Sequence, residues 1–360
     1  MEKSFWCDKK VFITGHTGFK GGWLSLWLQG LGADVVGYAL EPDSKANMYE
    51  LSGVGRGMRS VFANLLDLKF LEKEMIASKP DVVFHLAAQP IVLDAYKNPR
   101  ETYMTNIIGT INLFECIRKT SSVKAVVNIT TDKCYANMGN SKIFSEEDPL
   151  GGNDPYSSSK ASVELVSQAY RNSYFNKQKV GLATGRAGNV IGGGDWGKYR
   201  LVPDVLASFE AGEKVAIRNP SFVRPWQHVL EPLQGYLLLG QRLCENRTKF
   251  NGGWNFGPAK DQVITVKQVV KLISDLWGDD SGFSIENSVA VKEDMYLQLD
   301  SSKAMRELGW STILPIRDAL FYTVKWYREY CGGGDMRDFS LSQIDSFTKL
   351  WGGVNSINIQ

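Results

Sequence analysis

The sequence predicts an α/β protein with a Rossmann-type, doubly wound parallel sheet and a smaller mixed C-terminal substrate domain. Short apolar patterns typical of buried strands alternate with helical patterns over residues 1–187, as expected for a parallel sheet. A glycine-rich loop joins the first strand pattern to the first helix, as in dinucleotide-binding folds. We therefore expect a dinucleotide-binding domain over 1–187 and mainly a substrate domain over 188–360, with a segment near 225–260 as a candidate to return to the sheet.

The first element is the strand pattern at 11–14, followed by a loop at 15–21 and a helix to about residue 31. Gly15, Gly18 and Gly21 suit a tight turn, close approach of the backbone to a pyrophosphate, and close packing of the helix on the strand. The helix N-terminus can then bind phosphate. The residues of this loop predicted to contact a dinucleotide are Gly15, Thr17, Gly18, Phe19, Lys20 and Gly21.

The next strand patterns, at 34–39, 59–63 and 81–86, place further residues near the same cofactor. An acid about 20 residues past the glycines would bind a ribose 2′-hydroxyl. Glu41 is the candidate for this role. The alternative is that Glu41 is only a solvated residue of the loop. No arginine follows this strand to bind a 2′-phosphate, so NAD is predicted rather than NADP. The ends of the third and fourth strands supply Asn64, Leu65, Leu86, Ala87 and Ala88.

The groups able to carry chemistry follow the fifth strand pattern, at 126–129. Thr131, Asp132 and Lys133 come where that strand ends, which is where open α/β sheets bind ligands. Tyr156 and Lys160 lie four residues apart on one face of a helix predicted from 155 to about 176. A lysine ammonium near a phenol lowers the pKa of the phenol, as a general base requires. Taken alone, Tyr-x-x-x-Lys is also a chance pattern on helix surfaces.

The alternation of strands and helices ends after the sixth strand pattern, at 180–185. Residues 188–196 are turn-rich, which is typical of a substrate loop. Basic and aromatic side chains that could bind phosphate follow: Lys198, Tyr199, Arg200, Arg218, Arg224 and Trp226. A solvated basic face is the alternative. Helices are predicted at 227–246, 265–277, 301–308 and 315–330, and a polar peripheral tail from residue 332.

The composition limits the class of protein. A net charge of +2 gives no general attraction to nucleic acid or to anionic membranes. No apolar run approaches the roughly 20 residues that span a bilayer. The N-terminal residues lack the apolar core of a secretory signal, so a cytoplasmic protein is expected. The five cysteines and three histidines are scattered, so neither disulfides nor a metal site is expected.

Together, the motifs resemble the extended short-chain dehydrogenase/reductase family, and within it the sugar-nucleotide 4,6-dehydratases. The resemblance rests on the 14–21 loop, the 85–88 stretch, the Thr131 turn and Tyr156-Ser-Ser-Ser-Lys160, and it extends to about residue 330. Asn64 departs from the aspartate usual at its position. The Thr-Asp-Lys turn, in place of Thr-Asp-Glu, and the segments 188–196 and 224–229 are similar to those of members acting on CDP-D-glucose. The family implies NAD as cofactor.

The resemblance implies that CDP-D-glucose is converted to CDP-4-keto-6-deoxy-D-glucose and water, for deoxysugar and O-antigen-type polysaccharide biosynthesis. It implies that Tyr156 accepts the C4 hydroxyl proton, Thr131 hydrogen-bonds the C4 oxygen and Lys160 binds the nicotinamide ribose. Asp132 would protonate the leaving C6 hydroxyl. Lys133 would be the C5 base, or a cation that stabilises the intermediate enolate.

For the substrate phosphates and the nearby sugar, the candidates are Asn189, Arg200 and Arg224. Family members commonly dimerise through two helices per subunit, which here correspond to 99–119 and 154–176. A homodimer or a dimer of dimers is therefore expected.

Two other functions use the same residues. A sugar-nucleotide 4-epimerase or oxidoreductase would share the glycine loop, Tyr156 and Lys160, but would not need Asp132 beside Thr131. A non-enzymatic NAD-sensing protein would usually have lost Tyr156 or Lys160, and both are present.

Overall fold

Seven parallel strands form the central sheet, and the candidate site lies at the carboxyl ends of these strands. The computed structural model describes residues 3–42, 44, 46–139, 142–217, 219–259, 262, 264–278, 282–285 and 297–357. Its strands are β1 Lys10–Thr14, β2 Asp34–Ala39, β3 Arg59–Phe62, β4 Val82–His85, β5 Ala125–Ile129, β6 Ile143–Phe144, β7 Gly181–Ala187, β8 Val190–Ile191, β9 Val215–Ile217, β10 Val223–Arg224, β11 Gln227–His228, β12 Gly252–Phe256, β13 Ile264–Thr265, β14 Phe283–Ile285 and β15 Gln298–Leu299.

Helices cover both faces of the sheet. The helices of the described chain are α1 Lys3–Trp6, α2 Phe19–Gly30, α3 Met48–Leu51, α4 Leu68–Ser78, α5 Val92–Lys97, α6 Pro99–Tyr103, α7 Gly109–Arg118, α8 Pro155–Tyr170, α9 Asn176–Gln178, α10 Leu201–Glu210, α11 Leu230–Phe250, α12 Val266–Trp277, α13 Ile316–Cys331 and α14 Met336–Ile357. The π-turn Met104–Ile108 joins α6 to α7, and Arg171–Phe175 joins α8 to α9. Short 3₁₀ turns are found at Val54–Gly57 and Asp132–Cys134.

The strand order is β12-β7-β5-β4-β1-β2-β3, and every neighbouring pair is parallel. This order confirms the predicted doubly wound sheet. The direction of winding reverses between β1 and β4, which leaves a crevice beyond their carboxyl ends. The predicted glycine loop follows β1, and residues 86–88 follow β4, so both lie at this crevice.

Alternate strand residues face two separate cores, because successive side chains of a strand point to opposite faces. Val11 and Ile13 pack into the larger core together with α2, α11 and α13. Phe12 packs into the second core, which contains residues of α4 and α7. Both sheet faces are thereby covered, as a parallel sheet requires.

The seventh strand of the sheet comes from the C-terminal half of the chain. After β7 the chain leaves the sheet, and it returns through α11 to β12, where Trp254 pairs in register with Gly185. Helix α11 begins at residue 230 and ends at 250, whereas the sequence predicted 227–246. Gln227 and His228 form β11 instead, paired with β8.

The expected polar tail beyond residue 332 is wrong. The chain forms α14, in which Phe347 is fully buried and meets the Trp27 ring edge-on, with 5.8 Å between ring centroids. The buried stripe of α14 includes Met336 and Ser340, and Ser340 accepts a hydrogen bond from the Trp326 indole at 2.8 Å. Because polar residues interrupt this stripe, the hydrophobic pattern was too weak to indicate a packed helix.

Within the ranges given above, no helix combines the length and the apolar character needed to cross a bilayer.

Candidate active site

The glycine loop fits closely against the end of β4. Gly15 has φ +79°, and a Cβ there would lie 2.7 Å from the Ala87 nitrogen. A Cβ on Gly21 would lie 2.0 Å from the Gly15 carbonyl oxygen, so the start of α2 packs directly on the turn. Gly18 is the N-cap of α2 and provides no side-chain cap. The first backbone N–H groups of α2 are therefore available to an anion.

A buried hydrogen-bond chain holds the ends of β1 and β4 together. The Thr110 hydroxyl donates to the Asn106 carbonyl oxygen at 2.6 Å, so its oxygen accepts from His85 Nε2 at 2.9 Å. His85 Nδ1 then accepts from the Thr14 hydroxyl at 2.6 Å, and the Thr14 oxygen accepts from the Ala87 N–H at 3.3 Å. Burial lowers the pKa of His85 to about 3, which keeps the ring neutral. His85 is thus a packing residue that fixes the position of Ala87.

The other predicted cofactor residues lie along the same edge of the sheet. Glu41 is exposed just past β2, and the Thr17 hydroxyl donates to the neighbouring Leu40 carbonyl at 3.0 Å. Asn64 is exposed past β3 and accepts from the Leu66 N–H at 2.9 Å. Leu65 is buried. Residues 86–88 follow β4, the strand between β5 and β1, so they lie between the turn after β5 and the glycine loop.

The turn after β5 gathers the predicted acid and amine. The Thr131 hydroxyl donates to Asp132 Oδ1 at 3.0 Å, and Asp132 is only 2% exposed. Asp132 Oδ2 has no hydrogen-bond partner in the described part of the chain. Burial raises the pKa of Asp132, and the nearby Lys133 opposes that shift. A Cβ on Gly188 would lie 3.0 Å from Oδ2, so the glycine leaves room above the carboxyl group. The turn presents a buried carboxyl group that is able to donate a proton.

Tyr156 and Lys160 lie on the first turns of α8, next to that turn. The Asp154 side chain caps the helix by accepting from the N–H groups of Tyr156 and Ser157, at 2.9 and 3.0 Å. Pro at the first helical position also favours a helix start here. Tyr156 is 8% exposed and Lys160 is 6% exposed. The Lys160 ammonium donates to the Ile129 carbonyl oxygen at 3.1 Å, which ties α8 to the end of β5.

The expectation that Lys160 lowers the pKa of Tyr156 is wrong for the protein alone. Burial raises the pKa of Tyr156 to about 12, and the groups that oppose the rise are Thr131 and Arg200. Burial lowers the pKa of Lys160 itself to about 8, and Glu164 partly offsets that effect. Desolvation destabilises the buried phenolate by more than these neighbours stabilise it.

A buried ion pair behind these residues was not predicted from the sequence. Glu164 accepts from Arg186 Nε and Nη2 at 2.9 and 2.8 Å, and from the hydroxyls of Thr130 and Thr184 at 2.5 and 2.7 Å. Arg186 also donates to the Tyr135 hydroxyl at 2.7 Å. The pair joins α8, β7 and the turn after β5. The only signal for it in the sequence is the position of Glu164, one helical turn after Lys160.

Two of the predicted substrate residues, Arg200 and Arg224, lie within electrostatic range of the candidate site. Arg200 donates to both oxygens of Asp195 at 2.8 Å, and its charge also acts on Tyr156. The charge of Arg224 acts on Asp132. Asn189 lies between β7 and β8, and its carbonyl oxygen accepts from the Gln227 N–H at 3.0 Å. Arg218 lies outside the described residues.

The structure thus brings Thr131, Asp132, Lys133, Tyr156 and Lys160 together, with Arg200 and Arg224 within electrostatic range. No group of three histidine, cysteine or carboxylate side chains placed to hold a metal is found among the residues described.

A Rossmann sheet with a Tyr-x-x-x-Lys helix beside a Thr-Asp turn defines the class of short-chain dehydrogenase/reductase proteins. Residues 12–320 match the family model described as GDP-mannose 4,6 dehydratase, and the chain belongs to this family.

Relatives and solved structures agree with this assignment. The chain is 47% identical to the CDP-glucose 4,6-dehydratase of Salmonella typhimurium over 352 residues, covering 96% of this chain and 98% of that protein. Among solved structures, the dTDP-glucose 4,6-dehydratase of Streptomyces venezuelae, with NAD bound, is 25% identical with a TM-score of 0.77, covering 90% and 98% of the two chains. The UDP-glucose 4-epimerase of Thermotoga maritima, with UDP-glucose, is 25% identical with a TM-score of 0.78, covering 89% and 99%.

Proposed function

We propose that this protein is an NAD-dependent nucleotide-sugar 4,6-dehydratase that converts CDP-D-glucose to CDP-4-keto-6-deoxy-D-glucose and water. The observation that carries the proposal is the Asp132–Lys133 pair beside Thr131, Tyr156 and Lys160. Oxidation at C4 needs one proton acceptor, whereas elimination across C5–C6 needs a further acid and a further base. The 47% identity to the Salmonella typhimurium enzyme supports CDP-glucose as the substrate.

The glycine loop and the end of β4 fit NAD. Neighbouring backbone occupies the space that side chains would fill at Gly15 and Gly21, so these positions require glycine. The N-cap residue of α2, Gly18, provides no side-chain hydrogen bond to the first N–H groups of the helix. These N–H groups would bind the pyrophosphate, and residues 86–88 would face the ring. Glu41, Asn64 and Leu65 would lie toward the adenosine end, and Lys160 would bind the nicotinamide ribose. When bound, NAD supplies the oxidation of C4 and the later reduction of C6.

Tyr156 accepts the proton of the C4 hydroxyl, and Thr131 hydrogen-bonds the same oxygen. The high pKa of the buried phenol means that proton loss from Tyr156 depends on the groups that favour its anion. Thr131 and Arg200 are two such groups. The Lys160 ammonium is already present in the protein alone, and oxidised nicotinamide would add further positive charge when the cofactor is bound.

Asp132 is the acid of the elimination step. Burial raises its pKa and favours the protonated carboxyl group, whose Oδ2 has no hydrogen-bond partner among the residues that the structure describes. It donates its proton to the leaving C6 hydroxyl, which departs as water. Lys133 removes the C5 proton, which the C4 ketone has made acidic. Asn189, Arg200 and Arg224 bind the phosphates and the neighbouring sugar.

A product assay tests this function. The purified protein is incubated with NAD and, in separate reactions, with CDP-, dTDP-, UDP- and GDP-glucose in D₂O. We expect a 4-keto-6-deoxy product from CDP-glucose, lighter by one water apart from the label, with deuterium at C5 by NMR. An unlabelled C5 with an inverted C4 hydroxyl would establish a 4-epimerase instead. A preferred substrate other than CDP-glucose would overturn the nucleotide assignment alone.

The proposal includes a cytoplasmic homodimer or a dimer of dimers, formed through the helices at 99–119 and 154–176. Large apolar side chains of these helices are exposed, among them Ile108 at 37%, Leu165 at 56% and Tyr174 at 40%. Light scattering during size-exclusion chromatography measures the molar mass. A monomer at micromolar concentration would contradict this part of the proposal.

A further inference from the structure

Lys20 belongs to the glycine loop, but the first turns of α2 that carry it also face the segment at 188–200. A Cβ on Gly192 would lie 3.2 Å from the Phe19 ring, and the Trp23 indole donates to the Gly193 carbonyl oxygen at 2.8 Å. Lys20 lies between Phe19 and Trp23 in the chain. The loop therefore contacts both the dinucleotide crevice and the segment that the sequence assigns to the substrate.

The charges around Lys20 are those of the reacting end of the site. Its ammonium interacts electrostatically with Lys160 and Arg200, which repel it, and with Asp132 and Asp195, which attract it. Asp195 is already bound by Arg200, with both its oxygens 2.8 Å from the guanidinium. Asp132 is buried, and burial favours its protonated form. In the described part of the chain, neither carboxylate forms an ion pair with Lys20.

This position is electrostatically unfavourable for a lysine in the protein alone. Lys20 is the second residue of α2, where the helix dipole is positive and where an acidic residue would be stabilising. Burial and the neighbouring Arg200 lower its pKa to about 8. A multivalent anion bound among Lys20, Lys160 and Arg200 would offset both the unfavourable helix dipole and the conditions that lower the pKa of Lys20.

We propose that Lys20 binds the substrate phosphate attached to the sugar, and thus recognises the sugar nucleotide from within the cofactor loop. The inference rests on the proposed function, since it concerns the substrate of that same site. The substrate is favoured over the cofactor because Phe19 and Trp23, on either side of Lys20, contact the segment at 188–200. The charges of Asp132, Asp195 and Arg200, which lie on the substrate side of the site, also act on Lys20. The backbone N–H groups of α2 remain for the cofactor pyrophosphate. One loop thereby holds two ligands.

Calorimetric titration of the protein with CDP, CMP and NAD tests the proposal, because CMP lacks the phosphate in question. Lys20→Met should weaken CDP binding about 10- to 100-fold, the effect of losing one charge-assisted hydrogen bond. CMP and NAD should bind as they do to the unmodified protein. Lys20→Arg, which retains the charge, should recover most of the CDP affinity. In turnover, KM for CDP-glucose should rise while kcat changes little.

A matched control is Lys69→Met, because Lys69 is the second residue of α4, as Lys20 is of α2, but is exposed and far along the chain from the segment at 188–200. It should bind all three ligands normally. Lys20→Gln serves as a second neutral variant if Lys20→Met does not fold. Unchanged CDP affinity, an equal loss for CDP and CMP, or a loss confined to NAD would each overturn the proposal. If the unmodified protein neither binds CDP nor converts CDP-glucose, the proposed function itself fails.

Discussion

Tyr156 illustrates how strongly burial acts on a single reacting group. With a pKa of about 12, its phenol stays protonated unless the surrounding charges favour the anion. Tyr156→Phe removes the proposed proton acceptor with little change in volume. Turnover should fall by about 10²–10⁴, typical for a positioned acid–base group. Calorimetry should find NAD binding retained, and the exposed Tyr96→Phe provides a control. Normal turnover by Tyr156→Phe would make Tyr156 a packed aromatic only.

Asp132 and Lys133 are neighbours to which the proposed mechanism gives separable roles. Asp132→Asn cannot donate the proton, so the reaction should stop at the 4-keto sugar while Lys133 still exchanges the C5 proton. Lys133→Met should stop at the same sugar without exchange. NMR of the sugar after incubation in D₂O distinguishes the two variants. Deuterium at C5 in the Lys133→Met reaction would show that another group is the C5 base, and near-normal turnover would exclude both roles of Lys133.

The residues of the site were predictable where spacing or strand ends mark them. Tyr156 and Lys160 lie four apart on a capped helix, and Thr131 follows a buried strand. Glu164 and Arg186 were missed because the groups that bond to them come from α8, β7 and the turn after β5, which only the tertiary structure brings together. The pKa of Tyr156 was predicted wrongly because a sequence pattern does not reveal desolvation.

Among the elements, α11 carries a buried carboxyl group in its first turn. Glu231 Oε1 accepts from the N–H groups of Ile313 and Leu314 at 2.9 and 2.7 Å, while Oε2 has no partner among the residues described. Burial raises the pKa of Glu231 to about 8 from an ordinary 4.5. The folded state therefore holds a proton that the unfolded chain has lost between these pH values. Stability should decrease as pH rises from about 4.5 to 8.

Glu231→Gln removes this titration and keeps the carbonyl acceptor. Near pH 4.5 the variant and the original protein should unfold at similar denaturant concentrations. Near pH 8 the variant should be the more stable, by about 1–4 kcal/mol on the linkage scale of 1.36 kcal/mol for each pKa unit. Chemical denaturation at both pH values measures the difference. Glu245→Gln, on the more exposed part of the same helix, is the control. A difference that does not change with pH would contradict the assigned titration.

Most helices and strands were predictable from apolar periodicity, because β1, β4 and β5 are continuous buried runs between helical patterns. Helix α14 was not, since Ser340 and Gln343 lie within its buried stripe. β11 was also missed, because two residues carry too little pattern to identify a strand.

At the scale of the whole molecule, the sheet needs residues from both halves of the chain. β12 covers the edge of β7, and Tyr236 of α11 packs so closely on Gly185 that a Cβ there would lie 2.8 Å from its ring. A fragment of residues 1–187 should therefore aggregate, because β7 becomes an open edge and its apolar face is uncovered. The full-length chain, which keeps all seven strands and the packed helix α14, is the control. Solubility and calorimetric NAD binding measure the outcome, and a soluble 1–187 monomer that binds NAD would contradict it.

The late arrival of β12 also bears on how the protein is made. The ribosome releases the turn after β5, helix α8 and strand β7 first, and about 70 residues must follow β7 before β12 can pair along its whole length. At roughly 5–20 residues per second, this interval lasts on the order of several seconds. Throughout it the nascent chain exposes the hydrogen-bonding groups of β7 and leaves the Tyr135 hydroxyl without Asn255, its partner at 2.7 Å in the finished fold. A chaperone that shields strand edges during translation would act on this protein in that interval, before the candidate active site is complete.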